Sequence, residues 1–310
     1  WKNSPRELIV HGPFWSENGR LAVVVVRALD NKDRWIMAFD PAALALRPLD
    51  GRRDEAWVGG PGIGSYAMSS GDLGWINDQT IYFQSEADGY SHLYSLDVLT
   101  GQKKQLTKGR FEVQKVVLSR NKDSFYLTTN EPHPGEQHLY RMSVSGGERT
   151  RLTKATGAYE WVLSPDEQKV ALRYSNSTTP WELYLMDNSP AATPERLTTS
   201  TTAEFRSYPW REANVVTFKA QDGAEVYARL YTPKKSNGRA VIFVHGAGYL
   251  QNAHRWWSSY FREYMFHNLL TDKGYTVLDM DYRASAGYGR DWRTGIYRFM
   301  GGKDLTDHID

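Results

Sequence analysis

The residues whose order could support chemistry lie between 241 and 310. An apolar run, Val241-Ile242-Phe243-Val244, leads into His245-Gly246-Ala247-Gly248-Tyr249. In acyl transfer a carbonyl oxygen gains negative charge, and backbone N–H groups at a tight turn can hold it. Such a turn needs little side-chain bulk, which Gly246, Ala247 and Gly248 provide. The pentapeptide is therefore a candidate oxyanion loop, with an ordinary strand-to-helix turn as the standing alternative. A following strand ends in Asp279, Asp281 and Arg283, where ligands usually lie in open α/β sheets. For these the favoured reading is a buried Asp–Arg pair, Asp281 and Arg283, that braces the loop.

No nucleophile can be assigned. No serine has Gly two residues before and two residues after it; Ser65 and Ser285 both fail that pattern. Asp304, Asp307, His308 and Asp310 read as a solvated helix with acidic residues near its start. His254 and His267 read as helix-surface or loop residues. His133 and His138 lack a third ligand at useful spacing, so neither a catalytic metal nor another cofactor is expected.

The elements that must position this loop begin with repeats. Leu106-Thr107, Leu152-Thr153 and Leu197-Thr198 recur at 46 and 45 residues. His92-Leu93-Tyr94, His138-Leu139-Tyr140 and Glu182-Leu183-Tyr184 recur at 46 and 44. A period in the mid-forties with about four short strands per unit is the signature of a β-propeller blade. A looser copy begins at Trp15, which makes about four blades before residue 205. From Glu204 the pattern changes: two strands flank Gln221-Asp222-Gly223, followed by the buried strand at 241–244. Trp257, Phe261, Tyr264, Met265 and Leu269 form one helical stripe, and Tyr275-Thr276-Val277-Leu278 is the next buried strand. Strand, helix, strand in this order gives a parallel pair. The expected division is blades over 1–205 and an α/β domain over 206–310.

The chain has 310 residues, and 38 Lys+Arg against 36 Asp+Glu leave +2, so no field favours nucleic acid or an acidic membrane surface. There is no cysteine, which excludes disulfides and thiolate catalysis and fits a reducing or an oxidising compartment. Leu21–Val26, the longest apolar run, is too short to span a membrane. The first residue is Trp1, so the chain is expected to begin downstream of its translation start.

A propeller leading directly into this α/β segment resembles the prolyl oligopeptidase family of serine peptidases, in its dipeptidyl-peptidase-IV and acylaminoacyl-peptidase branches. Asp281-Tyr282-Arg283-Ala284-Ser285-Ala286-Gly287-Tyr288-Gly289-Arg290-Asp291-Trp292 and Gly301-Gly302-Lys303-Asp304-Leu305 look like the segment leading into that family's nucleophile elbow. Ser85-Glu86-Ala87-Asp88-Gly89-Tyr90-Ser91-His92-Leu93-Tyr94 looks like one of its blade phrases.

The resemblance implies the N-terminal part of an α/β-hydrolase domain behind blades of a larger propeller. It also implies hydrolysis of short peptides, often after proline, by a Ser-Asp-His triad lying wholly beyond Asp310. This stretch alone would then be inactive and would pair with a C-terminal hydrolase segment, covalently or as a second fragment. The oxyanion role carries over to His245, Gly246 and Ala247, with Tyr249 added because the family often uses a tyrosine hydroxyl there. A periplasmic or secreted location follows from the family, with the cytoplasm left open, as is homodimerisation. Two departures leave the loop shape open: no proline follows its glycines, and Ala284 stands where the family generally has Gly. The chain has no Glu-Glu pair, the feature that holds a free amino terminus in dipeptidyl peptidases. A non-catalytic propeller binding module and an α/β-hydrolase esterase are the alternatives.

Overall fold

The computed structural model describes residues 6–64, 69–246 and 249–310. Four sheets follow one another, each an antiparallel meander of four strands. The first holds β1 (Leu8–Trp15), β2 (Ala22–Ala28), β3 (Asp33–Asp40) and β4 (Ala45–Arg53). The second holds β5 (Leu73–Trp75), β6 (Thr80–Ser85), β7 (His92–Asp97) and β8 (Lys103–Gln105). The third holds β9 (Val113–Leu118), β10 (Ser124–Thr129), β11 (His138–Ser143) and β12 (Arg149–Arg151). The fourth holds β13 (Ala158–Leu163), β14 (Lys169–Asn176), β15 (Thr179–Asp187) and β16 (Glu195–Arg196). These are the blades that the repeat spacing anticipates.

The repeated phrases have a shared physical cause. Leu106, Leu152 and Leu197 each donate their backbone N–H to the carbonyl of Leu93, Leu139 and Leu183, all at 2.8 Å. The next residue closes the corner: Thr107, Thr153 and Thr198 Oγ1 accept from the N–H of those same leucines at 3.0, 3.0 and 2.9 Å. The threonine hydroxyl then turns to the residue before the leucine. In two copies this is a histidine, with His92 Nδ1 at 3.0 Å and His138 Nδ1 at 3.1 Å. The remaining nitrogen, Nε2, faces an acceptor in each: the Gly109 carbonyl at 3.0 Å and Glu136 Oε2 at 2.9 Å. Each ring is thus held at both nitrogens, by the threonine hydroxyl on one side and by that second partner on the other. In the third copy the Glu182 carboxylate takes the hydroxyl proton instead. Last and penultimate strands of a blade are thus locked by one side chain, which fixes the period.

After α1 (Ala203–Ser207) comes a mixed sheet in the order β17-β18-β20-β19. β17 (Asn214–Lys219) and β18 (Glu225–Tyr231) form a hairpin, and β18 pairs antiparallel with β20 (Thr276–Asp281). β19 (Ala240–Phe243) runs parallel to β20, with α2 (Phe261–Asp272) as the crossover. α3 (Arg290–Arg293) and α4 (Lys303–Ile309) complete the described chain. Two compact units result: Trp1–Thr129 with Tyr140–Thr150 and Gly289–Thr294, and Asn130–Leu139 with Arg151–Tyr288 and Gly295–Asp310. In the first, Val23, Val25, Ile36, Ile81, Phe83 and Leu96 form one apolar core. In the second, Tyr231, Trp257, Tyr264 and Val277 do. No helix among the described residues is long and apolar enough to cross a membrane.

Two expectations change. The stripe on α2 is rotated: Tyr264, His267, Asn268 and Thr271 are buried, whereas Phe261 and Leu269 are 44% and 45% exposed. Trp257 precedes the helix. The polar face goes inward because its atoms find partners there. Asn268 Oδ1 accepts from Arg211 N at 3.0 Å, and Tyr264 Oη donates to the Arg211 carbonyl at 3.2 Å. β19 is not covered on both faces either. It lies at the sheet edge, with Ile242 47% and Val244 58% exposed.

The corner lock predicts that Thr153→Val, which leaves the Leu139 N–H buried without its acceptor, destabilises the fold by about 1–3 kcal/mol. The urea midpoint should fall accordingly, and Thr153→Ser should recover most of the loss.

Candidate active-site loop

β19 and β20 pair in parallel with Phe243 opposite Asp279. Two residues further along each strand, His245 therefore meets Asp281. The imidazole Nε2 lies 3.3 Å from Asp281 Oδ1 and 3.2 Å from Ser285 Oγ. Ser285 spends its own proton on the Tyr282 carbonyl at 2.7 Å, so toward the ring it accepts. Nδ1 faces the Gly246 carbonyl at 3.1 Å. Both ring nitrogens thus meet acceptors, the arrangement of an imidazolium. Burial lowers the His245 pKa, but the hydrogen bond and charge of Asp281 outweigh it and leave it above the ordinary value. The ring stacks on Tyr282 with centroids 4.6 Å apart, and Tyr282 Oη donates to the His245 carbonyl at 2.6 Å. His245 is 3% exposed and is a buried anchor for the turn.

Gly246 is exposed, and its N–H donates to Tyr260 Oη at 3.1 Å. Tyr249 is half-buried with φ at +75°. Ala247 lies outside the described residues.

Asp281 is fully buried and accepts from Asn252 N at 2.6 Å, Ala253 N at 3.0 Å and Tyr288 Oη at 2.6 Å. Arg283 donates to Asp307 and Asp222. Asp281 and Arg283 do not pair with each other as the sequence suggests; each is held by separate partners. The buried Asp307 corrects the expectation of a wholly solvated terminal helix: it is 0% exposed because Arg283 N, at 2.8 Å, and its guanidinium satisfy the carboxylate. Hydrogen bonds from Arg283 and then Lys303 hold Asp222 below the usual carboxylate range.

Beneath the loop is a charged layer. Arg229 on β18 stands opposite Asp279 on β20, both buried. Burial pushes the Asp279 carboxyl up to about 6, against the pull of Arg229 and the Asn252 amide. Arg229 also donates to His254 Nδ1 and to the His254 carbonyl at 2.8 Å. Burial and then the Arg229 charge keep His254 well below its ordinary pKa. His267 is likewise pushed down to about 4 by burial and Arg229. Both histidines are interior, 2% and 3% exposed, rather than on the surface as the sequence reading has them. His254 is held there by the Arg229 guanidinium, and His267 packs edge-on against Tyr231 and Phe243.

Sequence reasoning missed Tyr260, Tyr282, Asn252 and Arg229. Arg229 had a signal, a cation inside an otherwise β-type run from Val226 to Tyr231. Tyr260 had none beyond standing just before the helix. Among the described residues no group of three or more His, Cys, Asp or Glu could hold a metal.

Four blade sheets followed by a mixed sheet of this order define a propeller joined to the beginning of an α/β domain. The chain belongs to the family described as dipeptidyl peptidase IV (DPP IV) N-terminal region, matched over residues 2–181, and residues 260–310 match the prolyl oligopeptidase family. It is similar to the uncharacterized peptidase YuxL of Bacillus subtilis (strain 168), 28% identical over 150 residues, 47% of this chain and 21% of that protein. Its fold is similar to the crystal structure of Porphyromonas gingivalis dipeptidyl peptidase 4, with TM-score 0.76 and 18% identity over 95% of this chain and 41% of that one. The chain thus spans well under half the length of either relative. Membership in a serine-peptidase family bears out the resemblance read from the blade and loop phrases.

Two predictions follow from the loop. Since the native pKa of His245 is raised, its stabilising contribution is complete below its ordinary value of 6.5 and is lost as pH climbs through the native pKa. Thermal melts should show wild type losing stability relative to His245→Gln above about pH 6.5. Ala284 is buried at φ +110°, a region that L side chains rarely adopt. Ala284→Gly should therefore raise stability by about 1 kcal/mol, seen as a higher urea midpoint.

Proposed function

We propose that this chain is the propeller and leading hydrolase part of a serine peptidase that cleaves short peptides, after proline or as a related exopeptidase. In this reading residues 1–205 supply blades that limit access, and 206–310 begin the hydrolase domain. The turn after β19, with His245 locked by Asp281 and Gly246 presented at the surface, is the observation that carries it. His245 and Tyr282 fix the turn, while the amides from Gly246 through Ala247, with Tyr249, receive the charge of the attacked acyl oxygen. Tyr260 Oη holds the Gly246 amide until the oxyanion forms. Backbone donors held in place at the turn favour the charged intermediate over the neutral substrate, which lowers the barrier.

Nucleophile, acid and base belong to a hydrolase segment beyond Asp310, which is also the partner that covers Ile242, Val244, Phe266 and Leu269, all 45% exposed or more. Blades that limit access admit only short chains, hence peptides as substrate. A periplasmic or secreted location and a homodimer complete the proposal.

The test compares residues 1–310 with the longer product of the same gene on proline-containing chromogenic peptides and on acyl esters. The short chain should be inert and the longer one should cleave the peptides. Turnover by residues 1–310, or ester cleavage without peptide cleavage in the longer product, overturns this reading.

A further inference from the structure

One irregular segment carries both supports of the candidate turn. Residues 250–260 form neither helix nor strand, so their backbone groups find partners elsewhere in the fold. Near the start of the segment, Asn252 N and Ala253 N bind the Asp281 carboxylate, which in turn meets the His245 ring. At its end, Tyr260 Oη accepts from Gly246 N. A shift of this segment therefore reaches the turn twice, through His245 and through Gly246.

A second set of contacts comes from the loop between β10 and β11. Residues 130–137 leave the third sheet and belong to the same compact unit as the segment. Gln251 Nε2 donates to the Pro134 carbonyl at 2.9 Å, and Arg255 N donates to the Gly135 carbonyl at 2.8 Å. Asn130 Nδ2 donates to the Gly287 carbonyl at 2.9 Å, in the chain beyond β20. Gly135 has no room for a side chain, since a Cβ there would lie 2.6 Å from the Ala253 carbonyl oxygen. The two backbones thus touch at a residue whose own amide holds Asp281.

One charge anchors this contact. Glu136 is 6% exposed, and its two oxygens go to different segments. Oε1 accepts from Arg255 Nη1 at 2.7 Å, and Oε2 faces His138 Nε2 at 2.9 Å. His138 is itself fixed by the Thr153 hydroxyl at a blade corner. Burial works to raise the Glu136 pKa, but the hydrogen bonds of His138 and Arg255 outweigh it and leave it below the ordinary value. The carboxylate is therefore charged at neutral pH, and charge-assisted bonds are shorter and stronger than neutral ones.

We propose that Glu136 is a positioning residue for the oxyanion turn. Its ion pair with Arg255 sets where Asn252 and Ala253 stand, their amides set Asp281, and Asp281 sets His245. The proposal rests on the reading of that turn as an oxyanion loop. It assigns part of the turn's geometry to a blade loop more than a hundred residues earlier in the chain. Donors must be aimed before the oxyanion forms, so a small displacement costs rate more than it costs substrate binding.

Kinetics of the longer product of the same gene on a proline-containing chromogenic peptide test it. Glu136→Gln should lower kcat about 10-fold while KM stays within about threefold. Arg255→Gln should do the same, and the double variant should lose no more than either single one. Arg255→Lys, which keeps the charge, should recover part of the rate. Circular dichroism reads whether each variant is folded. Arg255 is 34% exposed, and its replacement leaves Glu136 paired with His138, so Arg255→Gln carries the test should Glu136→Gln not fold. Unchanged kcat in the folded variants, a loss confined to KM, or additive losses in the double variant overturns the proposal. A second readout needs no activity. In the 310-residue chain, amide hydrogen exchange at Asn252 and Ala253 should quicken about 10-fold in Glu136→Gln or Arg255→Gln, with the amides of β2 unchanged. Equal exchange in variant and wild type overturns the proposal as well. An inert wild-type longer product would count against the peptidase reading, while the exchange rates would still decide the role of Glu136.

Discussion

A carboxylate with no solvent exposure must have its charge answered locally, and the Asp281 carboxylate is answered from every side. Two consecutive backbone amides, Asn252 N and Ala253 N, point at it, one to each oxygen. Tyr288 Oη and the His245 ring supply the rest. Through those four contacts one side chain ties together the turn after β19, the segment leading toward α2, the end of β20 and the chain beyond it. Removing one partner would leave a buried charge short of donors, which costs more than any one of the bonds contributes. The place of His245 at the start of the candidate loop is thus set by an anion at the end of the neighbouring strand.

That dependence explains why the sequence was legible in some places and not others. Blade corners could be read because one local device recurs: a leucine N–H and the following threonine hydroxyl reach back about fourteen residues to the same partner leucine. Local repetition leaves a spacing. The parallel pair could be read because two apolar runs with a helix between them admit few arrangements. The α2 stripe could not, since apolar periodicity assumes that the inward face is greasy, and here Asn268, His267 and Thr271 point inward. Arg283 and Asp281 look like a pair in sequence because they are two residues apart. On a strand end they diverge, and Arg283 instead reaches Asp222 and Asp307, 61 and 24 residues away.

Ala284 joins the two scales. The residue sits between Arg283, which is tied to Asp307, and Ser285, which is tied to His245. With both neighbours held, its backbone has no freedom to leave φ +110°. Strain of this kind persists only where the surroundings over-determine it. The same hydrogen bonds that orient His245 are therefore the ones that force a side chain into glycine's territory.

Buried arginines show two ways of carrying charge in this protein. Arg229 is opposite an acid, Asp279, and the pair sits beside His254 and His267, whose pKa values burial, and then that same cation, hold down. Arg229 and Asp279 face each other across the sheet, and His254 accepts from Arg229. Arg27 and Arg34 face each other instead, with carbonyl dipoles as their only hydrogen-bonded acceptors among the described residues. Dipoles hold each guanidinium in place, and the nearby charges of Asp50 and Asp72 partly offset that of Arg34. Both arrangements tie neighbouring segments together at full burial, one through an acid across the sheet and the other through backbone carbonyls.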